Sequence, residues 1–245
     1  MLLNHFQWQL DHRETLSGGI VMSINMSLLT GAAAFIEATT KNFLLAHIQQ
    51  VKARNANSPD ALTLFDALLT TTHEQLLGST WGNLAQAYTS IIGHKPTQNA
   101  EELEAIQTLF TFRNELVHGK QIHATIADGK VSYQHKYQLV VEHLLKVKVL
   151  AQELLLESNG SALLSDMATD YFLGKALAFA YHLLDNAGNA GLPARNQLAV
   201  NIFSIYRVPH LRRLMRENGI DVIIDHANIA GNPLPEATNP DIPTY

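Results

Sequence analysis

The chain has 245 residues, of which 47% are hydrophobic and 16% are charged, enough for one large or two small globular units with a substantial core. It contains no cysteine, which excludes a disulfide framework, a thiolate metal site and a cysteine nucleophile. The net charge of −5 argues against a protein that coats nucleic acid nonspecifically, so any site for a polyanion must be local.

The first predicted helical segment covers Arg13–Lys52, with a break expected near Thr30–Gly31. Residues 15–36 carry no formal charge, a length that raises the question of a membrane span. Polar residues and glycines dilute this stretch, and no basic cluster flanks it as an anchor or a signal would require. We therefore expect a buried helix, no membrane association and, since the lack of cysteine fits a reducing compartment, a cytoplasmic protein.

A second helical segment is predicted over Ala61–Ile92, with Gly78 and Gly82 as interruptions and Gly93 after its end. The next helix is predicted to follow Asn99, which can cap it. Glu102 lies three residues later and completes an arrangement like a capping box. Gly119 is placed to end this helix.

This capped helix carries an arginine in its apolar face. At about 100° per residue with Leu103 as zero, its apolar residues fill roughly 180–360°, and Arg113 falls near 280°. A guanidinium that faces a packed surface needs a carboxylate, a phosphate or a second subunit opposite it, and Glu37 of the first helix is one candidate. The other half of the helix is polar: Glu104, Gln107, Thr108, Thr111, Asn114, Glu115 and His118.

The hydrophobic period then changes to that of a strand. A two-residue turn at Asp128–Gly129 would pair Ile126 with Val131 and Ala124 with Tyr133. Such a hairpin has one apolar face, which we expect to lie against the helices.

Helical patterning returns over Gln138–Glu157, and the best internal boundary follows at Ser158–Ser161. Two more helices are predicted over Leu163–Asn186 and Ala194–Asn218. The basic residues near the end of the last one suit the helix dipole. Four prolines after Gly231 make regular structure there unfavourable.

The predicted fold is therefore all-α, a multi-helix bundle with a small inserted β-hairpin near residues 121–136. We expect the bundle and hairpin in residues 1–157, an additional helical region packed on it in residues 158–230, and a proline-rich tail in residues 231–245.

Several standard catalytic motifs are missing from the chain. It has no glycine-rich phosphate loop that ends in Gly-Lys-Ser or Gly-Lys-Thr and no Gly-x-Ser-x-Gly elbow. Its histidines show no compact ligand spacing, so we expect neither a metal site nor a cofactor; those near the capped helix are His118, His123, His135 and His143.

Arg113, Asn114 and His118 stand at the C-terminal end of the capped helix, and Gly119 follows. This heptapeptide resembles the signature of the HEPN superfamily, in which an arginine, a polar residue and, a few residues later, a histidine lie on one helix of an all-helical bundle. The resemblance implies a ribonuclease that needs no metal and works at a two-fold dimer interface.

These residue types suit RNA cleavage. An RNA 2′-hydroxyl can attack the adjacent phosphodiester if a base removes its proton and an acid protonates the departing 5′-oxygen, and His118 can serve in either role. Arg113 would hold the phosphate and stabilise the charge of the transition state. Asn114 could orient the imidazole or contact the substrate, and Lys120 is a further candidate for substrate binding.

Arg113 and His118 are about 140° apart around one helix, so they do not converge on one atom. A two-fold axis beside the helix would bring both copies of the motif into one cleft, which predicts a homodimer. Such domains often belong to toxin–antitoxin or phage-defence systems, so the resemblance also implies a cognate antitoxin protein as a partner. The alternative is a noncatalytic helical module in which Arg113 grips a carboxylate or phosphate of a protein partner or nucleotide.

Overall fold

The computed structural model describes residues 2–13, 15–54, 63, 66–67, 70, 80–127, 130–134, 136–158, 161–189 and 208–220. These residues form α1 (Leu2–Arg13), α2 (Gly18–Arg54), α3 (Trp81–Ile92), α4 (Ala100–Val117), β1 (Ala124–Ala127), β2 (Lys130–Tyr133), α5 (Tyr137–Lys146), α6 (Gln152–Ser158), a short 3-10 helix (Ser161–Leu164), α7 (Asp166–Asn189) and α8 (Pro209–Glu217). The protein is mostly helical, which confirms the all-α prediction.

The long helix α2 runs without interruption, so the predicted break at Thr30–Gly31 is wrong. Thr30 Oγ1 donates to the carbonyls of Met26 and Ser27, which satisfies its hydroxyl inside the helix. A glycine within a helix costs only about 1 kcal/mol relative to alanine, and packing on both sides of Gly31 outweighs it. The flanking residues Leu28, Leu29, Ala32 and Ala33 are fully buried.

By length and apolar composition alone, α2 could also cross a membrane. Its buried residues belong to the core of the protein, where α2 packs most extensively against α7 and also against α4 and α3. The uncharged segment therefore contributes a buried helix face, as predicted. α2 belongs to the first predicted region and α7 to the second, so one hydrophobic core joins the two regions. The boundary predicted between these regions stays a prediction.

The two ends of α4 are as predicted. Asn99 Oδ1 accepts a hydrogen bond from the Glu102 backbone N–H at 2.9 Å, and Glu102 Oε2 accepts one from the Gln98 N–H at 2.5 Å. At the other end, Gly119 has φ +66°, a left-handed conformation that glycine adopts without strain. His118 is the last residue before this turn.

The predicted hairpin register is confirmed, with Ala124 opposite Tyr133 and Ile126 opposite Val131. The turn residues 128–129 lie outside the described part. Only part of the apolar face is covered, because β2 packs against α5 and α6 and buries Val131 and Tyr133, while Ile126 on β1 is 51% exposed.

The helical segment predicted over Gln138–Glu157 consists of two helices, α5 and α6, with a turn between them. Lys148 has φ +59°, and the Leu144 carbonyl accepts hydrogen bonds from the N–H groups of Val149 and Leu150. No glycine or proline marks this turn in the sequence. Leu150, which follows the turn, is buried in the core.

The other predicted helices agree in part. Gly82 lies inside α3 rather than interrupting a helix, while Gly93 ends α3 with φ +91° as predicted. Most of residues 61–79, including Gly78, lies outside the described residues, as does the tail. Within the predicted Ala194–Asn218 segment, the structure describes α8 and the residues next to it.

Charged side chains join α1, α7 and α8 in one cluster. Arg13 is buried at the end of α1, where its Nη1 donates to Asp170 at 3.0 Å and its Nε lies 3.3 Å from Asp166. On α8, His210 and Arg213 each approach the Asp170 carboxylate to 3.1 Å. Asp170 therefore ties the first and last described helices to α7.

Asp170→Asn is expected to lower the free energy of unfolding by about 3 kcal/mol. Arg13, whose side chain is 5% exposed, would keep the half-exposed carboxylate of Asp166 as its one charged partner among the described residues, besides a long hydrogen bond to Asn25. The matched control is Glu217→Gln, which removes an exposed partner of Arg213 and should change stability by less than about 0.5 kcal/mol. Urea denaturation measures both, and equal losses would contradict the structural role of Asp170.

The same cluster predicts a pH dependence of stability. Burial by itself raises the pKa of Asp170, but hydrogen bonds from His210 and Arg13 outweigh it and hold this pKa below its ordinary value. A depressed pKa in the folded state stabilises the protein above the unfolded value of 3.8, and this stabilisation is lost as the pH falls through the folded pKa. Wild type should therefore lose more stability than Asp170→Asn between about pH 5 and pH 3.

Candidate functional site

Arg113 does not point into the core, although it lies in the apolar arc of α4. Its side chain is 31% exposed, and its Nη2 lies 4.0 Å from Glu37 Oε2 on α2. Its Nη1 donates to Asn114 Oδ1 at 3.0 Å, which turns the guanidinium toward the polar side of the helix. The carboxylate opposite the Arg113 guanidinium is thus that of Glu37, the candidate named from the sequence.

Arg113 lies at an open groove of about 710 Å³ between α2, α3 and α4. The charged side chains around this groove come from two distant parts of the chain, α2 and α4. The residues that line it include Glu37, Lys41, Trp81, Thr111, Arg113 and Asn114. The structure therefore brings Arg113 and Asn114 together at one concave surface.

Aromatic packing supports this groove from below. Trp81 stacks on Phe110 with ring centroids 5.2 Å apart and planes at 6°, and it meets Phe179 of α7 edge-on. Both Trp81 and Phe110 are 6% exposed. Because Phe110 is one turn before Arg113 on α4, this packing fixes the helix face from which the arginine extends.

His118 lies apart from the groove. Its side chain is exposed, and its backbone N–H bonds to the Asn114 carbonyl at 3.1 Å, which places it one turn beyond Asn114. Among the described residues its imidazole has no hydrogen-bond partner. Within one chain, His118 is therefore not among the described residues that line the groove around Arg113.

Lys120 forms an ion pair instead of extending freely into solvent. Its Nζ donates to both oxygens of Glu115, at 2.9 and 3.1 Å. The Tyr137 hydroxyl donates to the Lys120 carbonyl at 2.6 Å, and burial together with the Glu115 carboxylate raises the pKa of Tyr137 to about 12. Lys120 is thus tied to the junction of α4 and α5.

The polar half of α4, to which the sequence assigns Glu115, is covered in part by another helix. Glu115 and Thr108 are buried, at 3% and 9% exposure, because α5 packs against this side of α4. Val117, assigned to the apolar arc, is 60% exposed. Helical periodicity could not show that a second helix covers the polar side of α4.

Lys120→Ala should therefore lower the free energy of unfolding by about 1–3 kcal/mol, because Glu115 would lose its lysine partner while buried. Lys120→Arg keeps the charge and should retain most of the stability. Thermal denaturation of the two variants tests this. Wild-type stability in Lys120→Ala would show that the ion pair contributes nothing, leaving substrate binding as the remaining role.

His143, which the sequence left without a role, is buried in a hydrogen-bonded group. Its Nδ1 lies 3.3 Å from Glu104 Oε1, and its Nε2 lies 2.8 Å from the hydroxyl of Tyr171. A hydrogen bond from Lys146 and, to a smaller extent, one from His143 hold the pKa of Glu104 below its ordinary value. This group joins α4, α5 and α7 and faces a different groove from Arg113.

Lys41 and Trp81 are groove residues that the sequence reading missed. A signal for Lys41 was available, since Glu37 and Lys41 are the only formally charged residues between Glu14 and Lys52. Two charges one turn apart in an otherwise uncharged stretch of helix indicate a polar patch on its surface. No comparable signal distinguishes Trp81 from a core residue.

Within the described ranges, no three histidine, aspartate or glutamate side chains are grouped as a metal site would need. No family model matches this chain, and neither the curated proteins nor the solved structures contain a significant match to it.

Proposed function

We propose that this protein is a metal-independent endoribonuclease of the HEPN type, built on a HEPN-like helical bundle. The observation that supports this most is the state of Arg113, which is half-exposed in an open groove beside Asn114. Among the described residues it makes one hydrogen bond and one ion pair, so most of its N–H donors remain for a phosphate.

In this proposal Arg113 holds the scissile phosphate of an RNA strand. A histidine base takes the proton of the 2′-hydroxyl, whose oxygen bonds to phosphorus. The bond from phosphorus to the 5′-oxygen breaks, and an acid gives that oxygen a proton. The products are a 2′,3′-cyclic phosphate and a 5′-hydroxyl. Asn114 Oδ1 accepts a hydrogen bond from Arg113 Nη1 and so helps to orient the guanidinium.

The complete site needs two chains, because one chain leaves His118 outside the groove. A two-fold axis beside the C-terminal half of α4 would place the His118 of one protomer near the Arg113 of its partner. The exposed Val117 next to His118 supports an interface there, since an apolar side chain gains from being covered. A cognate antitoxin is a further partner that the resemblance implies.

The ion pair with Glu37 favours a second candidate function. An arginine already paired within its own chain, with the histidine outside the groove at the helix end, also fits a noncatalytic module that binds a protein partner or a nucleotide. In that case the groove binds an anionic group, and His118 has no chemical role.

The test is incubation of the purified protein with labelled single-stranded RNA in EDTA, with identification of the product ends and measurement of molecular mass by light scattering. We expect cleavage to a 2′,3′-cyclic phosphate and a dimer at micromolar concentration. A monomer that cleaves RNA would remove the composite-site mechanism. Absence of cleavage for every RNA tried would favour the binding module.

A further inference from the structure

Among the described residues, two cations and one carboxylate line the groove, and they are not tightly paired. Arg113 and Lys41 are the cations, and Glu37 is the carboxylate. Counting formal charges, two positive and one negative, the described lining carries +1 in a protein whose net charge is −5. It is therefore a local site for an anion on an acidic protein.

Glu37 holds Arg113 weakly. Its Oε2 lies 4.0 Å from Arg113 Nη2, beyond hydrogen-bond distance, so the pair is held by charge alone. A phosphate can accept two short hydrogen bonds from the same guanidinium. An incoming phosphate would therefore bind Arg113 better than Glu37 does, but it must overcome repulsion from the Glu37 carboxylate.

Lys41 has no partner in the described part of the chain. It lies one turn after Glu37 on α2, a spacing at which ion pairs commonly form, yet the described residues include no ion pair or hydrogen bond of its ammonium group. Its side chain is half-buried at the wall of the groove that faces α4. A half-buried ammonium group with free donors is favourably placed for the backbone of a nucleic acid.

We infer that Lys41 is a second phosphate-binding residue for the RNA strand and that Glu37 is an internal counter-ion that competes with the RNA phosphate for Arg113. This inference rests on the proposed function for the identity of the anion. The groove would then hold two neighbouring phosphates, one at Arg113 and one at Lys41. Glu37 would limit the affinity of the site for RNA in the free protein.

Binding is measured apart from cleavage by using a fluorescent 2′-O-methyl oligonucleotide, which lacks the attacking hydroxyl. Glu37→Gln keeps the size of the side chain and removes its charge, so it should tighten binding by about 3- to 10-fold. Lys41→Gln should weaken binding by a similar factor and lower the slope of log K against log salt by about 0.7, the value for one phosphate contact on a single strand. Lys41→Arg should restore both.

Two variants with the same charge changes outside the groove serve as controls. Glu153→Gln and Lys95→Gln alter exposed residues of α6 and of the loop after α3, and neither should change affinity more than about twofold. Circular dichroism and thermal denaturation confirm that all variants fold. If Glu37→Gln fails to fold, Glu37→Asp, which shortens the side chain, should still bind more tightly than wild type.

Weaker binding by Glu37→Gln would show that Glu37 positions Arg113, and it would contradict the inference that Glu37 competes with the RNA phosphate for Arg113. An effect of Lys41→Gln no larger than that of Lys95→Gln would overturn the role of Lys41. These failures are distinct from failure of the proposed function. If wild type cleaves RNA but the Glu37 and Lys41 variants bind RNA as wild type does, the nuclease proposal stands and this inference fails. If Glu37→Gln binds RNA more tightly but wild type cleaves no RNA, this inference stands and the nuclease proposal fails.

Discussion

His118→Ala is expected to reduce the rate of RNA cleavage by about 10²- to 10⁴-fold, the contribution of a positioned general acid or base, and to leave the fold intact. The imidazole is exposed and makes no hydrogen bond in the described part of the chain, so its loss should change stability by less than about 0.5 kcal/mol. Helicity, thermal denaturation and dimer mass establish that the variant is folded before its activity is compared.

The pH profile adds a second readout for His118. If the two histidines of a dimer act as base and acid, one must be neutral and the other protonated, so the rate between about pH 5 and pH 9 should be bell-shaped. EDTA should leave the rate unchanged. His123→Ala, which removes another exposed histidine a few residues away, is the matched control and should keep wild-type cleavage.

Cleavage that persists in folded His118→Ala would exclude His118 as the acid or base. Cleavage abolished by the chelator would exclude the metal-independent mechanism. A cleavage rate that depends on pH through a single sigmoidal step would indicate only one titrating group and would contradict a mechanism that uses two histidines.

Arg113→Lys should impair cleavage nearly as much as Arg113→Ala, by about 10²- to 10³-fold in kcat/KM. The physical reason lies in the geometry of the side chain. The guanidinium presents Nη1 to Asn114 and Nη2 toward Glu37, so its plane is already oriented across the groove. Lysine keeps the charge, but its single nitrogen cannot grip two phosphate oxygens in a plane.

Single-turnover cleavage by the two Arg113 variants, alongside Arg54→Lys at the exposed end of α2, tests this expectation. Arg54→Lys makes the same chemical change away from the groove and should keep wild-type activity. Wild-type cleavage by Arg113→Lys would mean that Arg113 acts as a general positive charge and that its planar fork is not used.

Local interactions explain the features that were predictable from the sequence. Asn99 and Gly119 mark the two ends of α4 through contacts within a few residues. The pairing of Ile126 with Val131 follows from a two-residue turn. The resemblance that names Arg113, Asn114 and His118 likewise depends on one heptapeptide. The helix that carries Arg113 and Asn114, with His118 at its C-terminal cap, was therefore predictable from local signals.

By itself, then, the sequence determined the helical class, the ends of α4, the register of the hairpin and the candidate residues on one helix. Only the tertiary structure decided that α2 stays unbroken, that the chain turns at Lys148, and that Glu115 is buried with Lys120 as its partner. It also placed Glu37 and Lys41 opposite Arg113. These outcomes depend on packing between segments far apart in the chain, and the energy of that packing outweighs local propensity.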